Sequence, residues 1–116
     1  MIAGISMGAF DSAIRTTGDW AGVFEYDEVE DRLSATAYFY LVQIENGQAG
    51  LVINSIHIRS GAWAIDEADI AVKWDRDEQC VGLFIFGELW AAFDTATGKK
   101  YGGGYGKDIQ PTIPWD

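Results

Sequence analysis

Residues 70–93 read IAVKWDRDEQCVGLFIFGELWAAF. Apolar residues recur at every second position: Ile70, Val72 and Trp74, then Val81, Leu83 and Ile85, then Leu89, Ala91 and Phe93. Side chains two apart share one face of a strand, whereas a helix needs spacings of three and four, so the stretch predicts three β-strands. Turn formers separate them. Asp75-Arg76-Asp77-Glu78 reads as a polar hairpin loop. Gly87-Glu88 predicts a two-residue type II′ turn, with glycine in the first central position. Gly82, Phe84 and Phe86 make the other face of the middle strand apolar as well. A sheet with one wet face would not carry that pattern, so both faces are expected to be covered.

The same period runs outward from this segment. Trp20, Gly22, Phe24 and Tyr26 alternate; residues 34–42 are apolar on both faces; Leu51 to Ile58 is rich in β-branched residues; and Asn46-Gly47 supplies the positive φ angles of a tight hairpin. The expectation is a single all-β domain over residues 1–116 with little helix. It is an antiparallel meander of about six strands, folded into a sandwich or a barrel-like sheet. Residues 1–17 have room for one more strand, and Gly61–Ala68 is a loop or one helical turn. The tail from Gly98 holds Pro111 and Pro114, which argue for an extended path outside a ladder. Ile113 and Trp115 should draw the tail back onto the sheet. The quoted segment resembles one β-propeller blade, but a propeller needs about four blades of roughly 40 residues and no second copy is evident.

Composition narrows the chemistry. Eighteen Asp and Glu face eight Lys and Arg in 116 residues, a formal net charge of −10. Such a surface repels nucleic acid and anionic membranes; Lys99-Lys100 with Lys107 is the main basic group. One cysteine excludes an intrachain disulfide, and one histidine with one cysteine excludes a Cys/His zinc site. No apolar run approaches the roughly 18 residues of a membrane span, and the first fifteen residues lack the basic start of a signal peptide, which suits a cytoplasmic protein.

Several motifs are weaker than they look. Gly102-Gly103-Gly104-Tyr105-Gly106-Lys107-Asp108 lacks the first glycine and the Ser/Thr of a phosphate-binding loop. Asp75, Asp77 and Glu78 are not continued by the ligands of a calcium loop, since Gln79 and Cys80 follow. No cofactor is expected. The run Glu25, Asp27, Glu28, Glu30 and Asp31 reads first as a solvated loop and, functionally, as an acidic docking surface for a basic protein. His57 falls on a strand in register with Ser55 and Arg59, with Tyr38 or Tyr40 across the hairpin. Those residues form an alternative pocket of Tyr38, His57 and Arg59, lacking a nucleophile elbow or an oxyanion donor. Five Trp, five Tyr and six Phe are many for this length; core filling in a small β fold accounts for most of them, while Trp63, Trp90 and Trp115 fall in or near loops and edges, where a recognition surface would use them.

Four pieces, AGVFEYDEVEDRLSATAYFYLV, INSIHIRS, IAVKWDRDEQCVGLFIFGELWAAFD and the closing PTIPW, occur in an order that resembles the bacterial family known as domain of unknown function 2251. The resemblance spans roughly residues 18 to 116, and the tail GGGYGK departs from it in its glycine content. It implies an all-β bacterial domain and brings no assigned activity or catalytic residue. Three functional classes follow from the residues. The first is an acidic non-enzymatic protein of the immunity type that docks a basic partner. The second is a DNA-mimic inhibitor whose acidic clusters share one face. The third is a ligand-binding or enzymatic pocket near His57. A second copy of the chain could also cover an apolar sheet face.

Overall fold

A computed structural model describes residues 10–27, 36–60, 65, 67–105 and 112–115. The first sheet comprises β1 (Phe10–Ile14), β2 (Trp20–Asp27), β3 (Thr36–Glu45) and β4 (Gln48–Ser60). The second comprises β5 (Ile70–Trp74), β6 (Cys80–Ile85), β7 (Glu88–Asp94) and β8 (Lys100–Gly102). In both, each strand pairs antiparallel with the next in sequence. The chain is therefore all-β, but as two four-stranded meanders rather than one of about six strands, and neither sheet closes into a barrel. A short 3₁₀ turn, Glu67–Asp69, precedes the second sheet.

The two extra strands have weak apolar signatures. In β1 the alternation is broken by Asp11, and its carboxylate ties the two sheets together: Oδ2 accepts the backbone N–H of Val72 in β5 at 2.8 Å. β8 is only Lys-Tyr-Gly. The turns are better marked. Asn46 and Gly47 have φ of 53° and 75°, the type I′ pattern. The turn between β6 and β7 is also type I′ rather than II′. Ile85 pairs with Glu88, so the central residues are Phe86 and Gly87, with φ of 51° and 81°. Phe86 thus takes a conformation that usually falls to Asn, Asp or Gly, and its ring is exposed.

One core lies between the sheets. Phe24, Phe39 and Ile58 from the first and Val81, Leu83, Ile85 and Phe93 from the second are fully buried. The rings of Phe39 and Phe93 stack across the interface with centroids 5.1 Å apart. Gly22 sets the closeness of approach: a Cβ there would lie 2.5 Å from Val81 Cγ2 and 3.1 Å from Val72 Cγ1. The edges are stitched without a ladder. On one side Trp74 Nε1 donates to Ala13 O at 3.0 Å, and the Arg15 guanidinium lies 5.7 Å from the Trp74 ring centroid. On the other, the segment after β8 donates from Tyr105 N to Ile58 O at 2.7 Å and from Gly103 N to Trp90 O at 2.8 Å.

The β1–β2 and β5–β6 hairpins close alike. Arg15 N donates to Trp20 O and Asp75 N to Cys80 O, while Gly18 and Glu78 take the positive φ. The likeness ends at the backbone: Gly22 faces the core, whereas Gly82 faces outward, beneath Leu89 and Trp115. Trp115 also packs edge-on against Phe84 at 5.4 Å, so residues 112–115 cover part of the outer face of the second sheet. Trp90 is buried within β7 against Tyr105 rather than at an edge, and Trp63 lies outside the described residues.

Replacing Gly22 by alanine should force the sheets apart at Val81. The expected loss is about 1–3 kcal/mol, the cost of overpacking a core, read as a lower urea midpoint with an unchanged slope. A midpoint equal to that of the native chain would show that Gly22 does not set the spacing.

Candidate functional site

The outer face of the first sheet is a grid fixed by strand register. Ile14, Ala21, Val42 and Val52 form one cross-strand row. Ser12, Val23, Tyr40 and Ser55 form the next. Glu25, Tyr38 and His57 form a third. The first row, with Ser12, Val23 and Tyr40 of the second and Glu25 of the third, lines a hollow of about 640 Å³. Its floor is closely packed, since Ala21 and Val42 are buried, while its rim is open: Ile14 is 58% and Val52 57% exposed. Apolar side chains at that exposure are costly in water, and here they lie together rather than scattered.

β4 shapes the far wall. It spends thirteen residues against the ten of β3, with register shifts at three points. Each extra residue bends the strand and resets which side chains face out. Leu51, Val52 and Ile53 are consequently all exposed, which simple alternation does not produce.

The predicted acidic surface divides. Glu25 and Asp27 belong to β2 rather than to a loop, and Tyr26 between them is buried in the core. Glu28, Glu30 and Asp31 lie outside the described residues. Glu25 is half-buried on the outer face, directly opposite Tyr38.

The predicted pocket divides too. Tyr38 and His57 are register partners and their rings meet edge-on at 5.2 Å. Tyr38 and Tyr40 stack with centroids 5.8 Å apart and planes 14° apart. Arg59, however, pairs with Ala37, a core-facing position, because a bulge intervenes between it and His57. His57 and Arg59 both border a separate shallow hollow of about 560 Å³ beside Tyr105, which Tyr38 does not line. The hydroxyl partner of His57 is Ser60, with Nε2 to Oγ at 2.8 Å, and not Ser55. That pair is exposed and, among the described residues, carries no carboxylate on the imidazole. It therefore lacks the orienting group of a nucleophilic triad.

The remaining titratable groups do structural work. Asp75 Oδ1 accepts Gln79 N at 3.0 Å and Cys80 N at 3.2 Å, closing the β5–β6 hairpin. Asp94 accepts Gln79 Nε2 at 3.0 Å and Ala96 N at 2.9 Å. Burial pushes the Asp94 carboxyl up, but these donors outweigh it and hold the group below the ordinary carboxylate range. Among the described residues no group of three or more His, Cys, Asp or Glu is placed to hold a metal ion. No protein-family model, curated protein or solved structure matches the chain, so the site is read from its geometry alone.

Cys80 gives a direct check on this arrangement. Burial, then the charges of Asp94 and Asp75, push its thiol up to about 11. At pH 8 the thiolate fraction should be about a hundredfold below that of an ordinary cysteine. Iodoacetamide should label the folded protein correspondingly slowly, faster after Asp94→Asn, and at the ordinary rate in urea. Rapid labelling of the folded native chain at pH 8 would contradict it.

Proposed function

We propose that this chain is a small non-enzymatic binding domain, an open two-layer sandwich that docks a basic protein partner on the outer face of its first sheet. One observation carries the reading: an apolar hollow with an exposed rim at Ile14 and Val52 runs into a half-buried carboxylate at Glu25, on a chain of net charge −10. Docking surfaces combine an apolar centre with charge that steers the partner in. The overall negative field speeds encounter with a cationic protein and disfavours nucleic acid and anionic membranes. The partner class that fits is the one an immunity-type protein neutralises, a basic protein made in the same cell. The single thiol, raised out of the reactive range, suits the reducing cytoplasm. Membership in the family of domain of unknown function 2251 is part of this proposal and assigns no activity.

The test is capture from the native host's lysate at low and moderate salt, using the native chain and the variants Ile14→Lys and Val52→Lys. Both positions are exposed, so the variants should fold. A basic protein should be held at low salt, released by added salt, and lost from both variants. Retention indifferent to salt, or unchanged in the variants, would sink the proposal.

A further inference from the structure

The grid on the outer face specifies a spacing as well as a polarity. We infer that it receives an extended segment of the form aliphatic-x-aliphatic-x-arginine, with Glu25, Tyr38 and Tyr40 taking the guanidinium; this deepens, and rests on, the docking role given to that face.

The cation subsite follows from register. Glu25 and Tyr38 are directly opposed, which puts their Cβ atoms about 5 Å apart. The Tyr38 and Tyr40 rings stack on each other nearly parallel, and the Tyr38 ring stands beside the carboxylate. His57, hydrogen-bonded to Ser60, packs edge-on against Tyr38 and backs that ring. A half-buried carboxylate beside stacked phenol rings suits one ligand chemistry above others. A guanidinium can fork onto the carboxylate while its plane lies on a ring; it is also weakly hydrated, so less is lost on contact. An ammonium is a compact, strongly hydrated point charge and gains less from the same surfaces.

The spacing follows from strand geometry. Ala21, Val23 and Glu25 occupy successive rows of one face, so Glu25 stands about 7 Å from the row of Val23 and about 13 Å from the row of Ala21. A segment lying extended along β2 and β3 has the same rise. Its first side chain meets Ala21 and Val42, its third meets Val23, and its fifth reaches Glu25. An arginine at the first or third position of a segment so seated would lie against apolar rows instead.

The experiment uses the full chain and three amidated peptides: acetyl-Val-Ser-Val-Ser-Arg, the same peptide ending in citrulline, and the same ending in lysine. Citrulline keeps the shape of arginine without its charge. Binding is followed by NMR at the ring resonances of Tyr38 and Tyr40 and the methyls of Val23 and Val52. The arginine peptide should bind at least about fivefold more tightly than the citrulline peptide, with lysine between them. Glu25→Gln should bring all three to the citrulline level. Equal affinity of the arginine and citrulline peptides, or a preference that survives Glu25→Gln, overturns the cation subsite. If all three still perturb Val23 and Val52, the docking face stands without it. No perturbation by any peptide overturns the subsite and counts against the face itself.

Discussion

The two sheets meet where Gly22 has no side chain. Val81 and Val72 fill the space a Cβ would take, and that approach lets the Phe39 and Phe93 rings stack across the interface. Much else depends on it. With the centre closed, β1 comes alongside β5, and Asp11 and Ala13 can accept from Val72 and Trp74. On the opposite side, Gly103 and Tyr105 reach the carbonyls of Trp90 and Ile58. These bonds satisfy edge groups that would otherwise be exposed templates for pairing or buried without partners. A chain with one cysteine has no disulfide to hold its layers, so packing at this point carries that role.

The outer faces differ because glycine was placed differently on each. Gly82 opens a seat on the second sheet, and Leu89 and Trp115 occupy it. β3 has no glycine among its outward residues; it presents Tyr38, Tyr40, Val42 and Ile44 instead. The apolar second face of β6 is thus explained by cover from its own chain. The apolar second face of β3 forms the floor and aromatic end of a hollow whose rim stays open. Two strands with the same sequence pattern therefore have different functional meanings, and only the three-dimensional placement of residues 112–115 separates them.

Most of the fold was legible because strand period and turn chemistry are local signals. The six strands read from alternation all exist, and Asn46-Gly47 turns as its dipeptide requires. The failures are non-local. β1 lies within residues 1–17, where the sequence leaves room for a further strand, but its bounds are blurred by Asp11, a carboxylate whose partner lies in the other sheet; β8 is defined by its pairing with β7 rather than by its three residues. At the site, the pairing of Tyr38 with His57 across the hairpin follows from the strand pattern, but the placing of Glu25 beside Tyr38 and the separation of Arg59 do not. The bulges in β4 move Arg59 to a core-facing register and bring Ser60 rather than Ser55 to His57. Counting by twos cannot foresee an inserted residue.

The charge of the chain and the charge at the site do different jobs. Carboxylates on solvated loops are screened over about 8–10 Å at ordinary ionic strength, so collectively they set the encounter rate and little of the final geometry. Glu25 is different in kind. It is half-buried on a strand, held in register with Tyr38, and next to side chains that exclude water on one side. A carboxylate in that setting interacts more strongly with a nearby cation and is more costly to leave without one. In the docking role proposed above, the net charge of −10 would draw many basic proteins to this surface alike. Discrimination among them has to come from a group with a fixed position, and on the described face Glu25 is the charged residue that the sheet holds in place.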